Sequence, residues 1–116
     1  MSCPENIRTE LARNASSGRK RTTLFTSERP TDWNPLHVKD PRDSTGQLYF
    51  TQLTAWYFVV ELLESGCDVQ TIALDRPRGG TGYRLIVPNH PNIYIKLELA
   101  PPGVYGRSFH YSKYNY

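Results

Sequence analysis

Seven consecutive residues constrain this chain more than any other stretch. In Ile93–Leu99 the odd positions are Ile93, Ile95, Leu97 and Leu99, and the even ones are Tyr94, Lys96 and Glu98. Side chains of a β-strand alternate between its two faces, so this pattern specifies a strand with one apolar and one wet face. On its C-terminal side, Ala100-Pro101-Pro102-Gly103-Val104 has turn chemistry: proline stiffens the backbone and glycine tolerates a positive φ. A strand returning from that turn to Tyr111 pairs Ile95 with Phe109, Leu97 with Arg107 and Leu99 with Tyr105 on the apolar side. On the wet side it pairs Lys96 with Ser108 and Tyr94 with His110. The same logic across Pro88–Asn92 sets Leu85 against Ile95 and Arg84 against Lys96. Arg84, Tyr94, Lys96, Ser108 and His110 are thereby expected on one sheet face. A slip of one residue in the pairing would scatter them.

The rest of the chain is read around this meander. Thr51 to Ser65 is expected to be the one strong helix, with Thr51 as N-cap and Gly66 as the stop. On a helical wheel Thr54, Tyr57, Glu61, Glu64 and Ser65 take one side. Apolar residues fill an arc wider than a surface helix needs, which suits a sheet plus a partner or second helix. Val69–Leu74 is expected as the first of four strands, and the glycine-rich Arg76–Gly82 turns it into the second. That turn is not a nucleotide-binding loop, because it lacks the Lys-Ser/Thr pair and leads into a strand. Its Arg78 can still touch a backbone phosphate. Pro30–Gly46 reads as a long loop anchored by Trp33. Residues 1–27 read as a basic, partly disordered lead-in, with a weak helix at Asn6–Arg13 and an edge strand at Thr22–Thr26. Residues 28–116 then form a single α+β domain: one main amphipathic helix packed on a four-stranded, mostly antiparallel sheet.

Bulk properties narrow the function classes. The net charge of +3 permits a nucleic-acid or acidic-protein partner without demanding one. No apolar run approaches the roughly 20 residues that span a bilayer, and the charged N-terminus lacks the apolar core of a secretory signal. Cys3 and Cys67 are the only cysteines, and their placement fits a reducing cytoplasm better than a structural disulfide. His37, His90 and His110 have no ligand spacing, so neither a metal nor another cofactor is expected. A serine triad is disfavoured, since Ser108 and His110 lie two apart on one strand with no acid placed to orient the imidazole.

Metal-free RNA cleavage suits these residues better. It needs a base for the 2′-hydroxyl, an acid for the leaving 5′-oxygen and a cation for the charge on the phosphorane. His110 can transfer one proton and Tyr94 or Tyr111 another, while Lys96, Arg84 and Arg107 can stabilise charge. Aromatic rings on the face can stack an unpaired base. The same side chains also suit an ordinary solvated sheet face.

Ile93-Tyr94-Ile95-Lys96-Leu97, a turn, and Gly106-Arg107-Ser108-Phe109-His110-Tyr111-Ser112 carry a family resemblance. Over roughly Val69 to Ser112 the chain resembles the RelE superfamily of bacterial toxin endoribonucleases, nearer its MqsR-like branch. The resemblance implies the toxin of a type II toxin–antitoxin system: a cytoplasmic mRNA interferase held silent by a cognate antitoxin protein. Lys96, His110, Tyr94 and Arg107 carry over by position as the expected catalytic residues; Arg84, Ser108, Tyr111 and Arg78, from the reading of the residues themselves, are the expected RNA-binding ones. The alternative is a non-enzymatic protein–protein interaction module, such as an inhibitor from a phage or mobile element.

Overall fold

The computed structural model describes residues 2–25, 34–74 and 79–112. Two helices, α1 (Glu5–Ala15) and α2 (Gln52–Glu64), pack on one face of a five-stranded sheet. Its strands are β1 (Arg21–Thr23), β2 (Gln70–Ala73), β3 (Thr81–Val87), β4 (Ile93–Ala100) and β5 (Gly103–Tyr111), ordered β1-β5-β4-β3-β2. The α+β class agrees with the sequence. The count of four strands and one main helix is corrected: β1 adds a fifth strand, and it runs parallel to β5, so the sheet is mixed.

Helix α2 begins where the sequence indicates. The Thr51 hydroxyl accepts from the Thr54 N–H at 3.1 Å, and the Thr54 hydroxyl accepts from the Thr51 N–H at 2.8 Å. This reciprocal box satisfies two of the donors that a helix start leaves unpaired. Gly66 ends the helix at φ 88°, where the Cys67 N–H closes back on the Leu62 carbonyl.

The wide apolar arc of α2 has two partners. Ala55, Trp56, Phe58, Val59 and Leu63 are buried. Helix α1 packs alongside, burying Leu11 and Ala15, and its Arg8 donates to the Leu63 carbonyl at 3.2 Å. A cation there meets the negative end of the α2 dipole. The stretch read as a lead-in thus contributes a helix and a strand to the fold. Arg21 donates to the Ala15 carbonyl at the end of α1 and lies over the Trp56 ring. Trp56 in turn donates from Nε1 to the Thr23 hydroxyl at 2.8 Å, tying α2 to β1.

Beneath the helices, Leu85, Val87, Ile93, Ile95, Leu97, Val104 and Phe109 supply the sheet's share of the core. Phe109 meets Phe25 and Phe50 edge-on, with ring centroids 5.6 and 4.9 Å apart. The loop before α2 is fastened to this core: Val38 and Phe50 are buried, and the Phe50 N–H bonds the Val38 carbonyl. Trp33, the expected anchor of that loop, lies outside the described residues.

Candidate functional site on the sheet face

The face turned away from the helices is built by strand register. Arg84 stands opposite Lys96, Lys96 opposite Ser108 and Tyr94 opposite His110. These pairings agree with the sequence reading, as do Leu85 with Ile95 and Ile95 with Phe109. Gln70 on β2 stands opposite Arg84. One row across four strands therefore reads Gln70, Arg84, Lys96, Ser108. Two cations thus stand directly opposite each other on this face.

The next row holds the imidazole. The rings of Tyr94 and His110 stack at 5.2 Å with planes 17° apart. His110 donates from Nδ1–H to the Tyr111 carbonyl at 2.8 Å, which makes Nε2 the nitrogen for proton exchange. The ring is 6% exposed and Ser108 is 1% exposed, so both are held by their neighbours rather than free to rotate.

The reading of Arg107 needs correction. A bulge between Lys96 and Leu97 sets Leu97 against Gly106, Glu98 against Tyr105 and Leu99 against Val104. Arg107 is therefore not opposite Leu97 on the apolar side. It is the extra residue of the bulge, and it reaches Glu98 on the wet face through Nε at 2.8 Å and Nη2 at 2.5 Å. A bulge adds one residue to one strand, so side chains beyond it change their alignment with the partner. Tyr105 moves to the wet face by the same shift, and the Arg107 guanidinium lies over its ring.

Tyr111 lies apart from the residues of this face. It pairs with Ile93 on the helix side, where its hydroxyl accepts from the Lys39 N–H at 3.0 Å. It fastens the loop before α2 and does not join Tyr94, Lys96 and His110. Arg78 lies outside the described residues.

Glu98 went unnoticed in the sequence. It is 7% exposed and shares the face with Lys96. The alternation of β4 gives its facing but not its burial, and its Arg107 partner depends on the bulge. Among the described residues no group of three or more His, Cys, Asp and Glu side chains is placed to hold a metal ion. No described helix is long and apolar enough to cross a membrane. Comparison of the chain with family models, with curated proteins and with solved structures gave no match.

Proposed function

We propose that this chain is a metal-independent endoribonuclease, the toxin of a type II toxin–antitoxin pair, with the RelE-like and MqsR-like character that its C-terminal half resembles. Its substrate is mRNA in the cytoplasm, and a cognate antitoxin protein neutralises it. The reading rests on the row Arg84–Lys96–Ser108 with the Tyr94–His110 stack beside it. Two cations side by side on one sheet face suit a phosphate that bridges them. Lys96 and Arg84 then bind the scissile phosphate and offset the charge that builds on it. His110 moves a proton through Nε2, and Tyr94 holds its ring in place.

RNA incubated with the purified chain in excess EDTA tests this. Cleavage by the wild type is expected, with Lys96→Ala and His110→Ala each about 100-fold or more slower. In cells, induced wild type is expected to arrest growth with shortened mRNA, and the double variant is not. Intact RNA and healthy growth with the wild type would overturn the nuclease reading.

The outcome would then favour a protein–protein module. One observation supports that second reading: Leu48, Tyr49, Leu53 and Tyr57 on the loop and α2 are all exposed large apolar side chains.

A further inference from the structure

Glu10, Arg13, Asn14 and Ser17 follow the spacing i, i+3, i+4 and i+7, so they share one side of α1 and of the turn after it. That polar side looks onto the β4–β5 turn, and between the two lies a cavity of about 850 Å³. Pro101, Pro102 and Gly103 form the far wall. Gly103 leaves room for its neighbours: a Cβ there would stand 2.9 Å from Lys20 Cβ and 3.1 Å from Asn14 Cγ. Asn14 is 8% exposed, yet its carboxamide has no hydrogen-bond partner among the described residues. A buried amide left unpaired destabilises a fold, and an apolar side chain of the same shape would not. Asn14 is therefore poorly explained as packing and well explained as a group aimed at a ligand.

The cations of the cavity are also unclaimed. Arg13 and Lys20 are exposed, and neither enters an ion pair among the described residues. The negative end of α1 does not occupy them. Arg21 donates to the Ala15 carbonyl at 2.9 Å, and the Ser16 N–H and hydroxyl donate to the Ala12 and Arg13 carbonyls. Two free cations suit the dianion of a phosphate monoester. A carboxamide pairs donor to acceptor with a base edge such as that of adenine. A carboxylate such as Glu10 accepts from ribose hydroxyls. The proline rings offer an apolar wall to the face of a base.

We propose that this cavity binds an adenine ribonucleotide with a terminal phosphate. Asn14 bonds the base edge, Glu10 holds the ribose, and Arg13 and Lys20 hold the phosphate. The site lies on the helix side of the sheet, away from the row Arg84–Lys96–Ser108, and stands whether or not the chain cuts RNA. Two sources share this chemistry: a free mononucleotide and the 5′-phosphorylated end of an RNA strand.

The test follows the Lys20 and Gly103 amide signals by NMR while the full chain is titrated with AMP, adenosine and inorganic phosphate. A 5′-phosphorylated tetraadenylate is titrated into Lys96→Ala, so that the strand stays whole, with AMP measured in the same variant. AMP is expected to saturate with a Kd below about 1 mM, and adenosine and phosphate to bind about tenfold more weakly or worse. Tighter binding of AMP than of the strand assigns the site to the free nucleotide; the reverse assigns it to an RNA 5′ end. The double variant Arg13→Ala/Lys20→Ala is expected to weaken AMP binding about tenfold or more. Asn14→Leu is expected to weaken it as much while raising the urea midpoint, because an unpaired amide leaves the interior. Should Asn14→Leu fail to fold, the double variant, confined to exposed side chains, still decides. No saturable shift with either AMP or the strand would overturn the proposal. So would inorganic phosphate binding as tightly as AMP, a double variant that binds AMP like the wild type, or a folded Asn14→Leu that does so.

Discussion

Gly106 carries two aromatic rings on a hydrogen atom. A Cβ at that position would stand 2.5 Å from Phe25 Cζ and 2.8 Å from Trp56 Cζ2. Both rings are buried and packed, so neither can swing aside at low cost. Gly106→Ala is expected to destabilise the fold by about 1–3 kcal/mol, read as a lower urea midpoint. The neighbouring residue is the bulged Arg107, so a shifted backbone here also disturbs its pairing with Glu98. Thr23→Val makes a separate point. It removes the acceptor of the Trp56 indole N–H while keeping the shape. A buried donor left unpaired costs about 1–3 kcal/mol, and an equal loss of unfolding free energy is expected in the same measurement. No loss would mean that the indole has found another acceptor. Neither cost was legible in the sequence, because Gly106 and Thr23 reach Trp56 only after distant segments meet.

Elements differ in how openly the sequence declares them. The β3–β4–β5 meander was legible because alternation sets the facing of each strand and short turns set its register. Helix α2 was legible from its caps. Helix α1 shows only Ile7, Leu11 and Ala15 at helical spacing, amid polar residues, so packing on α2 rather than local preference secures it. Strand β1 is three residues long: the sequence offered an edge strand at Thr22–Thr26, but its parallel pairing with β5, far along the chain, left no local signal. The bulge left none either, since Gly106-Arg107-Ser108 has no clear two-residue alternation to break.

The loop before α2 has its own electrostatics. The Asp43 carboxylate accepts from the Thr45 hydroxyl and from the Leu48 and Gln47 N–H groups, which together hold its pKa down to about 2. A group whose folded pKa is depressed contributes fully above its ordinary pKa, and that contribution is lost as pH falls through the folded value. The Gln47 and Leu48 amides are therefore expected to lose protection, relative to the intrinsic exchange rate at each pH, as pH drops from about 4 towards 2, followed by NMR. Unchanged protection at pH 2 would show that the loop stands without this carboxylate. Asp40 is partly buried, which raises its pKa, but its hydrogen bonds to Arg42 outweigh this and bring it lower. Arg42 also pairs with Glu61 and lies over the Phe58 ring, pinning the loop to α2.

At the scale of the molecule, the N-terminal segment belongs to the core. Leu11, Ala15 and Phe25 are each fully buried. A chain starting at residue 28 loses all three, together with β1 and the cover over Gly106. Apolar burial is the main term that offsets chain entropy in a small fold. Such a fragment is expected to lack a cooperative thermal transition in circular dichroism. A sharp melt near that of the full chain would show that residues 28–116 suffice.

The placement of β5 sets a timetable. It lies between β1 and β4 and is synthesised after both. On the ribosome, α1 and β1 emerge early and wait, because the strand that receives β1 has not yet been made. Ser108 and His110 arrive with that same strand, so the face proposed to cut RNA is assembled only after every other strand of the sheet has been made.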